Sequence, residues 1–192
     1  MELKARSDEE LALALKAGDR LAFDELVRRH QGRVFAVAYR ITLNRDDALD
    51  VAQEALLKAY RKIGAWRPTS GFLPWLLRVT ANQAIDHIRR RKRRSHEELD
   101  EAFVPGASPE ALTEGSMNTA TRVHANEIDA RVQGALGSLS PSQRAVFVMR
   151  HYEGMPLGDI AMAQGCTVGS VKVHLFRALR KLQVELKDLY ET

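Results

Sequence analysis

Two stretches of this chain carry side chains whose types and spacing suit the gripping of nucleic acid. In PLGDIAMAQGCTVGSVKVHLFRALRKL, residues 156–182, the pattern predicts a short helix, a tight turn at Gly165-Cys166 and a longer second helix opened by Thr167. At about 100° per residue, Val171, Leu175, Ala178 and Leu182 fall on one side of that second helix. Gly169, Val173, Phe176, Arg177 and Arg180 fall on the other. Cations mixed with apolar groups on an outward face are costly in water but suit a DNA major groove. There arginine pairs with guanine edges and apolar groups meet the thymine methyl. The pattern is that of a helix-turn-helix presenting its second helix to the groove. Two packed helices around a glycine turn also occur in proteins that bind no DNA.

The other stretch begins at Phe72 and Pro74. Leu77, Ala81, Ala84, Ile85 and Ile88 share one side of the predicted helix, and Trp75, Asn82, Asp86, Arg89 and Arg93 share the opposite one. The helix runs out into six consecutive cations, Arg89 to Arg94. A ring for stacking, an amide for a displaced base edge and cations for phosphate are what an opened DNA strand needs. The alternatives are a generic polyanion-binding or solubilising tail and a Trp75 partly buried in the core.

Several further helices must position these faces. Ser7 and Glu10 form a capping box for a helix to Lys16, with Gly18 as its stop. A second helix covers about Leu21 to Thr42 and is ended by Asn44. Asp46 or Asp47 then caps a third that reaches about Ile63. Its stripe of Ala48, Val51, Ala52, Ala55, Ala59 and Ile63 is narrow and mostly small, which lets neighbouring helices pack closely. Its other side, with Asp50, Gln53, Glu54, Lys58 and Arg61, reads as a solvated face or a docking surface. Trp66 to Gly71 form a loop broken by proline and glycine. Near the C-terminus, Ile128, Val132 and Leu136 mark one helix, and Ser140-Pro141 opens another that ends at Gly154. No segment alternates like a strand, so the fold class is all-α: two small helical domains joined by a linker.

Charge follows the same division. Residues 1–94 hold 20 Lys/Arg against 12 Asp/Glu, residues 95–130 hold one against eight, and residues 131–192 hold eight against five. Two basic blocks around an acidic connector suggest two modules facing nucleic acid. The boundaries this implies are 1–94, a linker at 95–126 with no sustained helical period, and 127–192. The single cysteine, Cys166, excludes an internal disulfide and fits a reducing cytoplasm. His96 and His124 stand without metal-ligand spacing. No apolar run has the length of a membrane span, and the start lacks a signal-peptide core, so a soluble, cytoplasmic protein is expected. No P-loop, nucleophile–base pair or metal cluster stands out, so neither an enzyme nor a cofactor is expected.

Taken together, DALDVAQEALLKAYRKIGAW with GFLPWLLRVTANQAIDHIRRRKRR, and LSPSQRAVFVMRHYEGMPLGDIAMAQGCTVGSVKVHLFRALRKL, resemble the second and fourth conserved regions of the extracytoplasmic-function (group IV) sigma factors of bacterial RNA polymerase. The resemblance implies promoter recognition and melting on behalf of the polymerase core, in response to a stress or envelope signal. It implies core docking on the clamp helices of the largest subunit through Asp47, Asp50, Gln53, Glu54 and Lys58, and a further contact with the flap. It places −10 element contacts on Trp66, Arg67, Ser70, Phe72, Trp75, Asn82, Arg89 and Arg93. The −35 element falls to Ser170, Lys172, Val173, His174, Phe176, Arg177 and Arg180. An anti-sigma factor is an implied partner, and the acidic linker would thread the polymerase channel. The chain departs from the family pattern at Val173 and His174, where serine and arginine are frequent, and at Gln164, where a large aliphatic is usual. A stand-alone DNA-binding regulator and a helical adaptor are the competing classes; the first usually carries a βα domain that the N-terminal 94 residues do not suggest.

Overall fold

The computed structural model describes residues 3–99 and 131–187, with the side chains of 70 and 95–99 set aside. Among these residues there is no strand. Most helices begin where the sequence supplies an acceptor for orphan N–H groups. α1, Asp8–Lys16, has the full Ser7/Glu10 capping box. α2, Arg20–Thr42, starts at Asp19, whose carboxylate accepts the Leu21 N–H at 3.0 Å. α2 ends with Leu43 in the left-handed region, at φ 59°. Asn44 is therefore not the stop of α2 but the cap of the next helix, its side-chain oxygen accepting the Asp47 N–H at 2.9 Å. That helix, α3, runs Arg45–Arg61 and so starts ahead of the expected Asp46/Asp47 cap.

α4 spans Phe72–Leu99 and carries helix past residue 94, into the first residues assigned to the linker. The rest of that linker, with His124, lies outside the described residues, as do Glu127 and Ile128 at the expected start of the next helix. α5 is described over 131–137. α6, Pro141–Phe147, is opened by a Ser140/Gln143 capping box and widens into a π turn over Val148–Tyr152. α7 is Leu157–Gln164, and α8 is Val168–Glu185. Between them Gly165 takes φ 61°, a conformation glycine adopts without strain, and Thr167 accepts the Ser170 N–H at 3.1 Å.

The small-residue stripe of α3 is buried against α2 and α4, as the periodicity requires. Ile63 leaves that stripe because α3 stops at Arg61 and the chain tightens into a 3-10 turn. One hydrophobic cluster crosses from the N-terminal helices to the C-terminal ones. Val37, Ala38 and Ile41 of α2 and Leu77, Ala81 and Ile85 of α4 pack with Val146, Met149, Ile160 and Val171. Each such aliphatic contributes about 1.5–3 kcal/mol on full burial, so this shared core binds the two helical sets firmly.

Three polar ties reinforce it. Arg33 Nε meets Glu153 at 2.6 Å, and the Asn82 amide donates to the Ala163 carbonyl at 2.6 Å. The third is Arg144, buried with no carboxylate paired to it among the described residues. Its guanidinium donates to the carbonyls of Leu136, Leu139 and Gly137 behind α5 and to Ile41 in the last turn of α2. Carbonyls at helix C-termini have no intrahelical partner and carry partial negative charge, which suits a cation. Burial lowers the Arg144 pKa to about 10, so the group remains charged at neutral pH.

Candidate nucleic-acid interface

On α8 the two predicted sides are separated cleanly. Val171, Ala178 and Leu182 are buried and Leu175 half-buried, while Gly169, Lys172, Val173, Phe176, Arg177 and Arg180 are exposed. Phe176 is 64% accessible and Val173 47%, large apolar surfaces to leave in water beside two arginines. Ser170 is half-buried and shares the Thr167 cap, its hydroxyl 3.0 Å from that of Thr167. His174 is half-buried at the edge of this face, with Nδ1 buried and lacking a partner among the described residues.

The α4 face differs from expectation at its N-terminal end. Trp66 and Phe72, assigned to −10 contacts, are fully buried, and Trp75 is 8% exposed. The three rings pack together, with centroids 6.2 Å apart for Trp66 and Phe72 and 5.8 Å for Phe72 and Trp75. Burying an indole needs a partner for its N–H, and Trp66 Nε1 donates to the Gly71 carbonyl at 3.1 Å. Gly71 makes that possible at φ 62°, ψ 146°, where an added Cβ would stand 3.3 Å from Pro74 Cδ. The loop is thus plugged by its own tryptophan. Arg67 is exposed in it, and the side chain of Ser70 lies outside the described residues.

Further along α4, the first half of the face is covered and the second half is open. Asn82 is half-buried under α7, its amide taken by Ala163, whereas Asp86, Arg89 and Arg93 are exposed. α3 also divides. Asp47 pairs with His87 at 3.0 Å and with Arg91, Glu54 accepts from Gln83 and from Arg90, and Lys58 donates to Gln83 at 3.0 Å. All three contact α4, Asp47 and Lys58 half-buried and Glu54 still exposed. Asp50 and Gln53 are exposed without such ties among the described residues, beside Leu49 and Leu57, which are 50% and 47% accessible.

Residues 26–94 match the family model described as Sigma-70 region 2, and residues 129–182 the one described as Sigma-70, region 4. The RNA polymerase sigma-H factor of Pseudomonas aeruginosa is 32% identical over 191 residues, covering 97% of each chain. The ECF RNA polymerase sigma factor SigM of Mycobacterium tuberculosis (strain H37Rv) is 35% identical, covering 92% of this chain and 83% of the relative. The chain belongs to the ECF sigma factors. It is accordingly a transcription initiation factor that binds RNA polymerase core and promoter DNA, and not an enzyme. Among solved structures, the sigma factor RpoE in complex with the anti-sigma factor NepR, from Bartonella quintana, matches with TM-score 0.66 and 25% identity. That match covers 86% of this chain and 96% of that one. CnrH in complex with the cytosolic domain of CnrY matches with TM-score 0.65 and 25% identity, over 95% and 99%. Among the described residues, no helix of this sigma factor is long and apolar enough to cross a membrane.

Sequence reasoning passed over Leu49 and Leu57, although both stand off the buried stripe of α3 at i and i+8 with Gln53 between them. It also passed over Arg33, Glu153 and Arg144. Their partners are 120 and 103 residues away for the Arg33 and Arg144 ties, and no local pattern announces such pairs.

Proposed function

We propose that this sigma factor divides promoter recognition between its two helical sets, residues 1–94 and 127–192, and that the packed arrangement is its resting form. α8 reads the −35 duplex in the major groove through Lys172, Val173, Phe176, Arg177 and Arg180, with Ser170 and His174 at the edge of the contact. The single observation that carries this is the sorting of α8. Its apolar stripe is buried while Phe176, Arg177 and Arg180 stand in solvent with no other evident use. Arg89 and Arg93 hold the phosphates of the −10 strand, and Asn82 and Arg67 meet its bases once α7 has moved away. Trp66, Phe72 and Trp75 serve as the packed base under that surface rather than as stacking rings. Leu49, Asp50, Gln53 and Leu57 form the docking face for the polymerase core, an apolar pair within a polar rim. Asp47, Glu54 and Lys58 set the angle between that face and α4. An anti-sigma factor acts on this chain by favouring the packed form. The chain works in the cytoplasm, where the polymerase is.

The test is run-off transcription with purified chain, core polymerase and promoter fragments. Specific transcripts that depend on the chain are expected. DNA binding with no transcript would sink the reading in favour of a stand-alone regulator.

A further inference from the structure

The junction between the two helical sets is not fully closed. A cleft of about 630 Å³ lies between α4 and the α7–α8 turn, within the size range of small-ligand sites. Four cations line it, Lys58, Lys62, Arg78 and Arg89, against one carboxylate, Asp86. Among the described residues four buried side-chain polar atoms lack a hydrogen-bond partner, and three of them belong to residues lining this cleft. They are Arg78 Nε, Gln164 Nε2 and His174 Nδ1. Four cations against one carboxylate favour an anion in the cleft, and the unpaired Arg78 Nε and Gln164 Nε2 donors, worth about 1–3 kcal/mol each, are buried within the residues of its wall. Trp75, Val79 and Ile85 add an apolar wall that a bare inorganic ion would leave unused.

We propose that this cleft binds a nucleotide-sized organic phosphate, and that the bound molecule holds the two helical sets together. Arg78 and Arg89 come from α4, and Gln164 and His174 from α7 and α8, so the site exists only while the sets are packed. A ligand that binds one of two forms shifts the population toward it. A DNA strand that engages Asn82 needs the amide now donated to Ala163, so strand and ligand exclude each other. That regulatory consequence rests on the proposed function; the binding site itself does not.

The test titrates the full chain, free of DNA and polymerase, with adenosine 5′-diphosphate, inorganic pyrophosphate and sulfate at matched ionic strength. Calorimetry and tryptophan emission give the readouts, since Trp75 lines the cleft. Saturable binding of the diphosphate is expected, weakened about tenfold by Arg78→Leu and several-fold by Gln164→Leu. Arg20→Ala, an exposed charge at the start of α2, should leave it unchanged. Circular dichroism and melting establish that each variant is folded, and Arg78→Lys, which keeps the charge without the Nε donor, should recover part of the affinity. Absence of saturable binding at millimolar diphosphate would overturn the proposal. So would binding that both cleft variants leave untouched, or pyrophosphate binding with the nucleotide excluded. For the regulatory arm, the diphosphate should lower capture of a −10 single strand by the wild type and not by Gln164→Leu; equal effects would overturn the coupling. Failure of run-off transcription would remove the sigma-factor reading, whereas the titration of the free chain decides the cleft independently.

Discussion

α8 and α4 each carry cations along one helix face, yet α8 offers its face to solvent and α4 has half of its own covered. The outward residues of α8 are exposed from Lys172 to Arg180 except His174, half-buried at the rim, and the inward Leu175 and Ala178. On α4, Trp75 is buried against the Phe72 ring, Arg78 is half-buried, Asn82 is half-buried under α7, and Asp86 is exposed. Under the proposed roles, duplex reading is available in the packed form, while capture of an opened strand requires the helical sets to part, so that reading would precede melting.

The largest effect should come from the open face. Arg177→Ala is expected to weaken binding of upstream-element duplex by about 5- to 150-fold, the range for one good base contact of roughly 1–3 kcal/mol. Core affinity should not change. Fluorescence anisotropy on matched and scrambled duplexes measures this, and an undiminished preference for the matched sequence would remove α8 as the reader. A third surface provides a control for both faces. Leu49→Ala with Leu57→Ala should lower core affinity by about tenfold while leaving both DNA interactions intact, because truncating buried apolar anchors is what most weakens an interface.

The covered face is probed next. Arg33→Glu places a second carboxylate against Glu153, whose side chain is 4% exposed in the packed form. Arg33 itself is 47% exposed, so solvent screens part of the repulsion; the like charges still oppose packing, and capture of −10 single strand should rise about two- to threefold with an increase in the radius of gyration. Arg33→Glu with Glu153→Arg restores an opposite pair and should return both quantities toward wild type. If the single variant stays as closed as the wild type, this ion pair is no latch.

How much of this was legible follows from the distance over which each contact acts. The α8 sorting is a period of 3.6 residues within one helix, and the caps at Ser7, Ser140 and Thr167 are three-residue patterns, so all of them stood in the sequence. Trp66 looked like a loop residue because its neighbours are Arg67 and Pro68. Its burial depends on Gly71 turning a carbonyl toward the indole, a backbone geometry no composition reveals. Asn82 was correctly placed on the face opposite Leu77 and Ala81. Its partner, however, lies 81 residues away, and which surface covers a polar face is settled by the shared core and not by the helix carrying it.

Asn82→Ala gives the smallest effect and the sharpest comparison, because the same amide has two opposed uses. Removing it deletes the bond to Ala163 and so favours opening, by about 0.5–1.5 kcal/mol for one hydrogen bond. It also deletes a contact to the captured strand of similar worth. In the wild-type background the two losses nearly cancel, and strand capture should move by less than about threefold. In the Arg33→Glu background, to the extent that the helical sets are shifted apart, the Ala163 bond is already lost and only the strand contact remains to be removed. There Asn82→Ala should lower capture by about 2- to 10-fold, so the two substitutions are non-additive in a double-mutant cycle. Equal effects in both backgrounds would show that Asn82 takes no part in the latch, and that the cover over α4 rests on the apolar core alone.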